Sequence, residues 1–226
     1  IQPATTGINM PAMGLHKWVL EAGVWKEGVR AYLASIAFAD AMLGRLLDAL
    51  EQSGRSEHTV IVLWSDHGWH LGEKQHWAKR TLWEESTRVP LLIVGPKIKP
   101  GKPCREPASL IDLYPTLVEL CNLPKASHLE GLSLVPQLSD PTKPRDQPAI
   151  TSSYFGNHSI RNRDWRLIVY EDGAKELYDH RNDPDEFHNL AKNPAHQAII
   201  KDLVQWLPKK AAPEFKAKSE RLRVRK

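Results

Sequence analysis

The chain has 226 residues, 41% hydrophobic and 26% charged, with eight tryptophans; these are the proportions of a folded globular protein and argue against disorder. Its length points to one domain, or to one domain with a smaller appendage. The formal charge of +4 resides largely in the closing stretch KAKSERLRVRK, which reads as a solvated end, so no nucleic-acid partner is expected.

No segment is long and apolar enough to cross a bilayer, so no membrane partner is expected. The first residues, IQPATTGINMPAMG, lack the basic start and apolar middle of a secretory signal. They also lack an initiator methionine, and the segment through about residue 25 reads as a long loop laid over missing neighbours. From Glu27 to Gln52, Val29, Leu33, Ile36, Ala37, Met42, Leu46, Leu47 and Leu50 recur at helical spacing, and Gly54 stops the helix. TVIVLW then runs apolar without alternation, as does VPLLIVGP at 89 to 96; both are expected as strands of a parallel sheet covered on both faces.

Ser109 and Asp112 make a capping-box-like start for SLIDLYPTLVELCNL, where Pro115 falls in the first turns and Cys121 on the apolar stripe, as a buried thiol. Residues 123 to 148 read as loop, with a boundary near their end that divides the chain into 1–148 and 149–226. Beyond it AITSSY, HSIRN, DWRLIVY and KELYD predict an antiparallel meander, and a helix follows at about 194 to 207. The expected class is α/β, yet two or three central strands are too few for an isolated sheet with helices on both faces. The chain therefore reads as the second part of a larger domain.

Chemistry concentrates in SDHGWHLGEKQHWAK, residues 65 to 79. Ligands of open α/β sheets bind beyond strand ends, where Ser65, Asp66, His67 and Gly68 stand. Asp66 offers a hard oxygen, His67 a nitrogen, and Gly68 a turn that lets both converge on one cation. The plainer account is that Asp66 caps a turn and His67 is a surface residue. Lys79 could reach an anion bound beside such a cation. His70 and His76 are weaker metal candidates; Asp66, His67 and His70 together would make a zinc cluster. Trp64, Trp69, Trp77 and Trp83 are expected to pack the loop.

The run VLWSDHGWHLGEKQHWAKRTLWEESTRVPLLI resembles the second signature region of the sulfatases, most closely the iduronate-2-sulfatase-like branch. YLASIAFADAMLGRLLDALEQSG, SLIDLYPTLVELCNLP, EGLSLVPQL and ELYDHRNDPDEFHNLA resemble further sulfatase segments in family order. The resemblance implies part of an alkaline-phosphatase-like mixed-sheet α/β sandwich with a small C-terminal subdomain of antiparallel sheet and helix. It implies a divalent cation, usually calcium, held in part by Asp66 and His67, and a sulfate contact from Lys79. The substrate would be a sulfated small molecule or polysaccharide, and the compartment periplasmic, secreted or lysosomal.

The family's nucleophile is a formylglycine made within a Cys-X-Pro-X-Arg type motif. Cys104, in CREPA, and Cys121, in CNLPK, do not stand in one. The nucleophile and the acidic pair that completes the metal site are therefore expected on an N-terminal half of the same protein, and this chain alone is expected to be inactive. Two other readings are a zinc phosphodiesterase or phosphonate hydrolase of the same superfamily, and a non-catalytic fragment that binds sulfated polysaccharide through its basic end.

Overall fold

A computed structural model describes residues 12–96, 98, 101 and 103–210. Residues 1–11 of the expected opening loop and the basic stretch from 216 lie outside them. The rest of that loop is a correction: Ala12–Glu21 is helical (α1). His16 and Val19, three apart, are buried on it, a short helical period that the surrounding Pro, Gly and Met obscure. Helix α2, Trp25–Gln52, follows as expected, and Gly54, with φ +68°, leaves it in a left-handed turn. Its apolar stripe is uncovered: Leu33, Ile36, Phe38 and Leu46 are all more than half exposed.

Strand β1 (Ile61–Trp64) feeds the hairpin β2 (His70–Leu71) and β3 (Trp77–Ala78), then the short helix α3 (Glu84–Thr87) and β4 (Leu91–Val94). β1 and β4 pair antiparallel, Ile61 opposite Val94 and Trp64 opposite Leu91, which corrects the parallel expectation. An unbroken apolar run reports that a strand has two faces to cover; it carries no information about direction. Here Leu63, Trp64, Leu92 and Val94 remain exposed.

Ser109 and Asp112 do form a capping box ahead of α4 (Leu113–Leu120). Asp112 also accepts hydrogen bonds from the Leu132 N–H at 2.8 Å and from Arg145 Nη2 at 2.8 Å. Cys121 is exposed, against expectation: it sits at the C-cap, while Thr116 and Val118 make the buried face. A short helix, α5 (Val135–Ser139), leads to the C-terminal meander.

The meander is β5 (Ala149–Ser152), β6 (His158–Arg161), β7 (Trp165–Val169) and β8 (Lys175–Asp179), paired in that order and antiparallel throughout. Period-two alternation sends Leu167 and Leu177 to one face, where Ile200 and Leu203 of α6 (Gln197–Val204) close a core. Ile168 and Tyr178 point to the other face and pack on Leu82 and Trp83. The sheet is thus covered by α6 behind and, in front, by the segment that follows Lys79.

Candidate active site

The chain leaves β1 at Ser65, bends at Asp66 and runs close against α3 at Gly68. The Gly68 N–H donates to the Ser86 carbonyl at 2.8 Å, and a Cβ at this position would lie 1.9 Å from the Glu85 carbonyl oxygen. Only glycine permits this approach. Ser65 Oγ donates to the His67 carbonyl at 2.8 Å, and the His67 N–H to Asp66 Oδ1 at 3.1 Å. The two side chains are therefore fixed side by side, with His67 Nε2 3.5 Å from Asp66 Oδ2.

The His67 ring is oriented from behind. Its Nδ1 lies 2.9 Å from the Gly68 carbonyl oxygen; a carbonyl only accepts, so the hydrogen is assigned to Nδ1 and the lone pair to Nε2. Trp69 stacks on the ring at 6.2 Å and on Tyr32 of α2 at 6.4 Å. The β2–β3 hairpin then folds the chain back, His70 opposite Ala78, and brings Lys79 Nζ to 2.6 Å from His67 Nε2. Ala78 and Arg80, on either side of Lys79, both have positive φ, +67° and +81°. Such backbone in non-glycine residues is uncommon and clusters at functional sites.

Asp66, His67 and Lys79, chosen from sequence, thus come together. As part of a divalent-cation site, Asp66 supplies an anionic oxygen on a side chain that is 80% exposed, and His67 an aimed nitrogen whose other ring atom is held, the usual arrangement of a ligating histidine. Two donors fit a share of such a site and fall short of the six to eight oxygens calcium takes.

His70 and His76 lie apart from this group. His70 is fully buried; its Nε2 lies 2.7 Å from Thr81 Oγ1, and Thr81 donates in turn to Ser86 at 2.9 Å. Burial, reinforced by His76 and Lys74, pushes its pKa down to about 4. His76 Nδ1 is bound to the Lys74 carbonyl at 2.8 Å, and its ring meets Trp83 edge-on. The zinc cluster of Asp66, His67 and His70 is not assembled. Trp77 and Trp83 are buried as loop packing, whereas Trp64 and Trp69 are exposed.

Among the described residues, one trio offers ligand atoms close enough for a metal: Glu84, His180 and Glu186. A guanidinium already supplies the cation there. Arg166, 2% exposed, donates through Nη2 to Glu84 and through Nε to Glu186, and His180 Nε2 lies 2.7 Å from Glu186. These residues, with Lys74, escaped the sequence reading. Glu84 stands 82 positions from Arg166 and 102 from Glu186, and charged side chains so far apart give no local signal.

Residues 5–123, just over half of the chain, match the family model described as Sulfatase. The chain belongs to the sulfatase family. A second model, N-sulphoglucosamine sulphohydrolase, C-terminal, matches residues 72–212. A sulfatase of Formosa agariphila is 41% identical over 210 residues, which cover 92% of this chain and 41% of that protein. The chain thus spans about two fifths of that relative's length. Among solved structures, BT4656 in complex with its substrate D-glucosamine-2-N,6-O-disulfate superposes with a TM-score of 0.66 at 32% identity, over 78% of this sulfatase chain and 38% of the other. A phosphonate monoester hydrolase from Silicibacter pomeroyi superposes at 0.65 and 28% identity, over 74% and 37%. The expected alkaline-phosphatase-like α/β architecture is the one these sulfatases share.

Proposed function

We propose that the protein carrying this chain hydrolyses sulfate esters of a sulfated sugar or glycosaminoglycan, and that residues 65 to 79 supply part of its active site. The observation that carries the reading is the convergence of Lys79 on the Asp66–His67 pair at the exit of β1. Asp66 and His67 would hold a divalent cation, calcium by family resemblance, that draws charge from a sulfuryl oxygen when bound. Lys79 places an ammonium where an anion beside the cation would rest, and its flexible stem lets it move from His67 to that anion. The formylglycine nucleophile and the remaining acidic ligands belong, in this reading, to an N-terminal half. The sugar is supported by the resemblance of residues 62 to 93 to the iduronate-2-sulfatase-like branch and by the substrate of BT4656.

The test is hydrolysis of an aryl sulfate by the full-length protein, with peptide mapping for a formylglycine. Turnover that survives both Asp66→Ala and Lys79→Ala would sink the assignment of these residues. A second reading, phosphonate monoester hydrolysis, draws on the Silicibacter pomeroyi enzyme. Aryl sulfate and phenyl phosphonate assayed side by side separate the two by their kcat/KM.

A further inference from the structure

Both ends of the segment that carries Lys79 are tied to one buried residue of the C-terminal subdomain. On the near side, Lys74 Nζ donates to the Glu186 main-chain carbonyl. On the far side, the Glu84 N–H donates to Glu186 Oε2 at 2.9 Å. Glu186 is 1% exposed and held in turn by Arg166 and His180. Lys79 lies midway between positions 74 and 84.

The Lys74 ammonium is also caged. Its Nζ stands 5.2 Å from the ring centre of Trp83, 5.5 Å from Tyr178 and 4.7 Å from Phe187, all within the range of cation–π attraction. Lys74 and Gln75 have left-handed φ of +51° and +61°, so the hairpin tip is bent to deliver the side chain into the cage. Surface stability would not require a half-buried lysine to be clasped this way at a strained position.

We propose that Lys74 is a positioning residue for the sulfate-contacting Lys79: its ammonium, clasped by the aromatic cage and the Glu186 carbonyl, holds the β2–β3 hairpin so that the C-terminal sheet sets where the Lys79 ammonium stands. The proposal rests on the reading of Lys79 as the sulfate contact. It assigns the C-terminal subdomain a part in ground-state anion binding, exerted through the hairpin without touching the substrate. Misplacement of a charged group by about 1 Å is enough to cost on the order of a hundredfold in rate.

The experiment uses the full-length protein and free sulfate as a competitive inhibitor of aryl sulfate hydrolysis. Lys74→Met keeps the apolar stem and removes the charge; Phe187→Ala opens the cage at a half-exposed ring, where folding is least at risk; Lys74→Arg restores a cation. Lys79→Met is the reference. Lys74→Met is expected to weaken sulfate inhibition and raise KM by about tenfold, in the direction of Lys79→Met, with Phe187→Ala intermediate and Lys74→Arg recovering most of the loss. If Lys74→Met and Phe187→Ala lower the melting temperature but leave the sulfate inhibition constant unchanged while Lys79→Met raises it, the positioning role is refuted and the site stands. If Lys79→Met itself leaves sulfate inhibition unchanged, the reading of Lys79 fails and the proposal falls with it.

Discussion

Lys79 Nζ and His67 Nε2 lie 2.6 Å apart although they stand twelve positions apart in sequence. The two-residue strands β2 and β3 make this contact by reversing the chain, and Gly68, next to His67, lets the backbone pass against the Glu85 carbonyl of α3.

Because Lys79 is exposed and outside every core cluster, its replacement should spare the fold and harm the chemistry. Lys79→Ala in the full-length protein is expected to lower kcat/KM by about 10²–10³, the scale for loss of one charge-stabilising donor, with an unchanged melting temperature. A parallel fall in melting temperature would mark Lys79 as structural.

Asp66 provides the only anionic oxygen next to His67 Nε2 among the described residues. Chelator treatment should abolish turnover and added calcium restore it. Calorimetric titration should show calcium affinity lowered at least about tenfold by Asp66→Asn, as expected when a charged ligand becomes neutral. Equal calcium affinity in the two proteins would remove Asp66 from the metal site.

Gly68→Ala sets a methyl group against the Glu85 carbonyl. Overpacking of this kind costs about 1–3 kcal/mol, and here a backbone atom blocks relief. A lowered urea midpoint with unchanged slope is expected. Wild-type stability would show that the β1 exit yields easily.

His70 gives stability a pH dependence whose sign is fixed by its burial. The folded imidazole titrates at about 4 and its ordinary value is 6.5. Below about 6.5 the unfolded chain takes up a proton that the folded chain refuses, so stability falls with pH until about 4 and is level above 6.5. Between pH 7 and pH 5 the loss is about 2 kcal/mol. Denaturant titrations at the two pH values should show it, and His70→Gln should flatten the difference; an undiminished slope in that variant would assign the effect to other groups.

The legible part of this molecule was local. Helical spacing marked α2, the Ser109–Asp112 pair marked the capping box ahead of α4, and short alternating runs marked the meander, because each depends on neighbours within a few residues. Asp66, His67 and Lys79 were visible because a strand end and one hairpin suffice to assemble them. The direction of β4 was not visible, since VPLLIVGP looks the same run either way. Nor was the caged Lys74: its partners Tyr178, Glu186 and Phe187 are more than a hundred positions away, and nothing in GEKQ distinguishes a clasped ammonium from a solvated one.

The order of the C-terminal strands bears on how the molecule assembles in time. Every pairing from β5 to β8 joins strands adjacent in sequence, so each closes a short loop at small entropic cost, whereas the Lys74–Glu186 contact spans 112 positions. The sheet is expected to gain amide protection first in pulse-labelled refolding, and the hairpin at 70 to 78 later. The lysine intended for the anion would then be set down last, on a platform already rigid when it arrives.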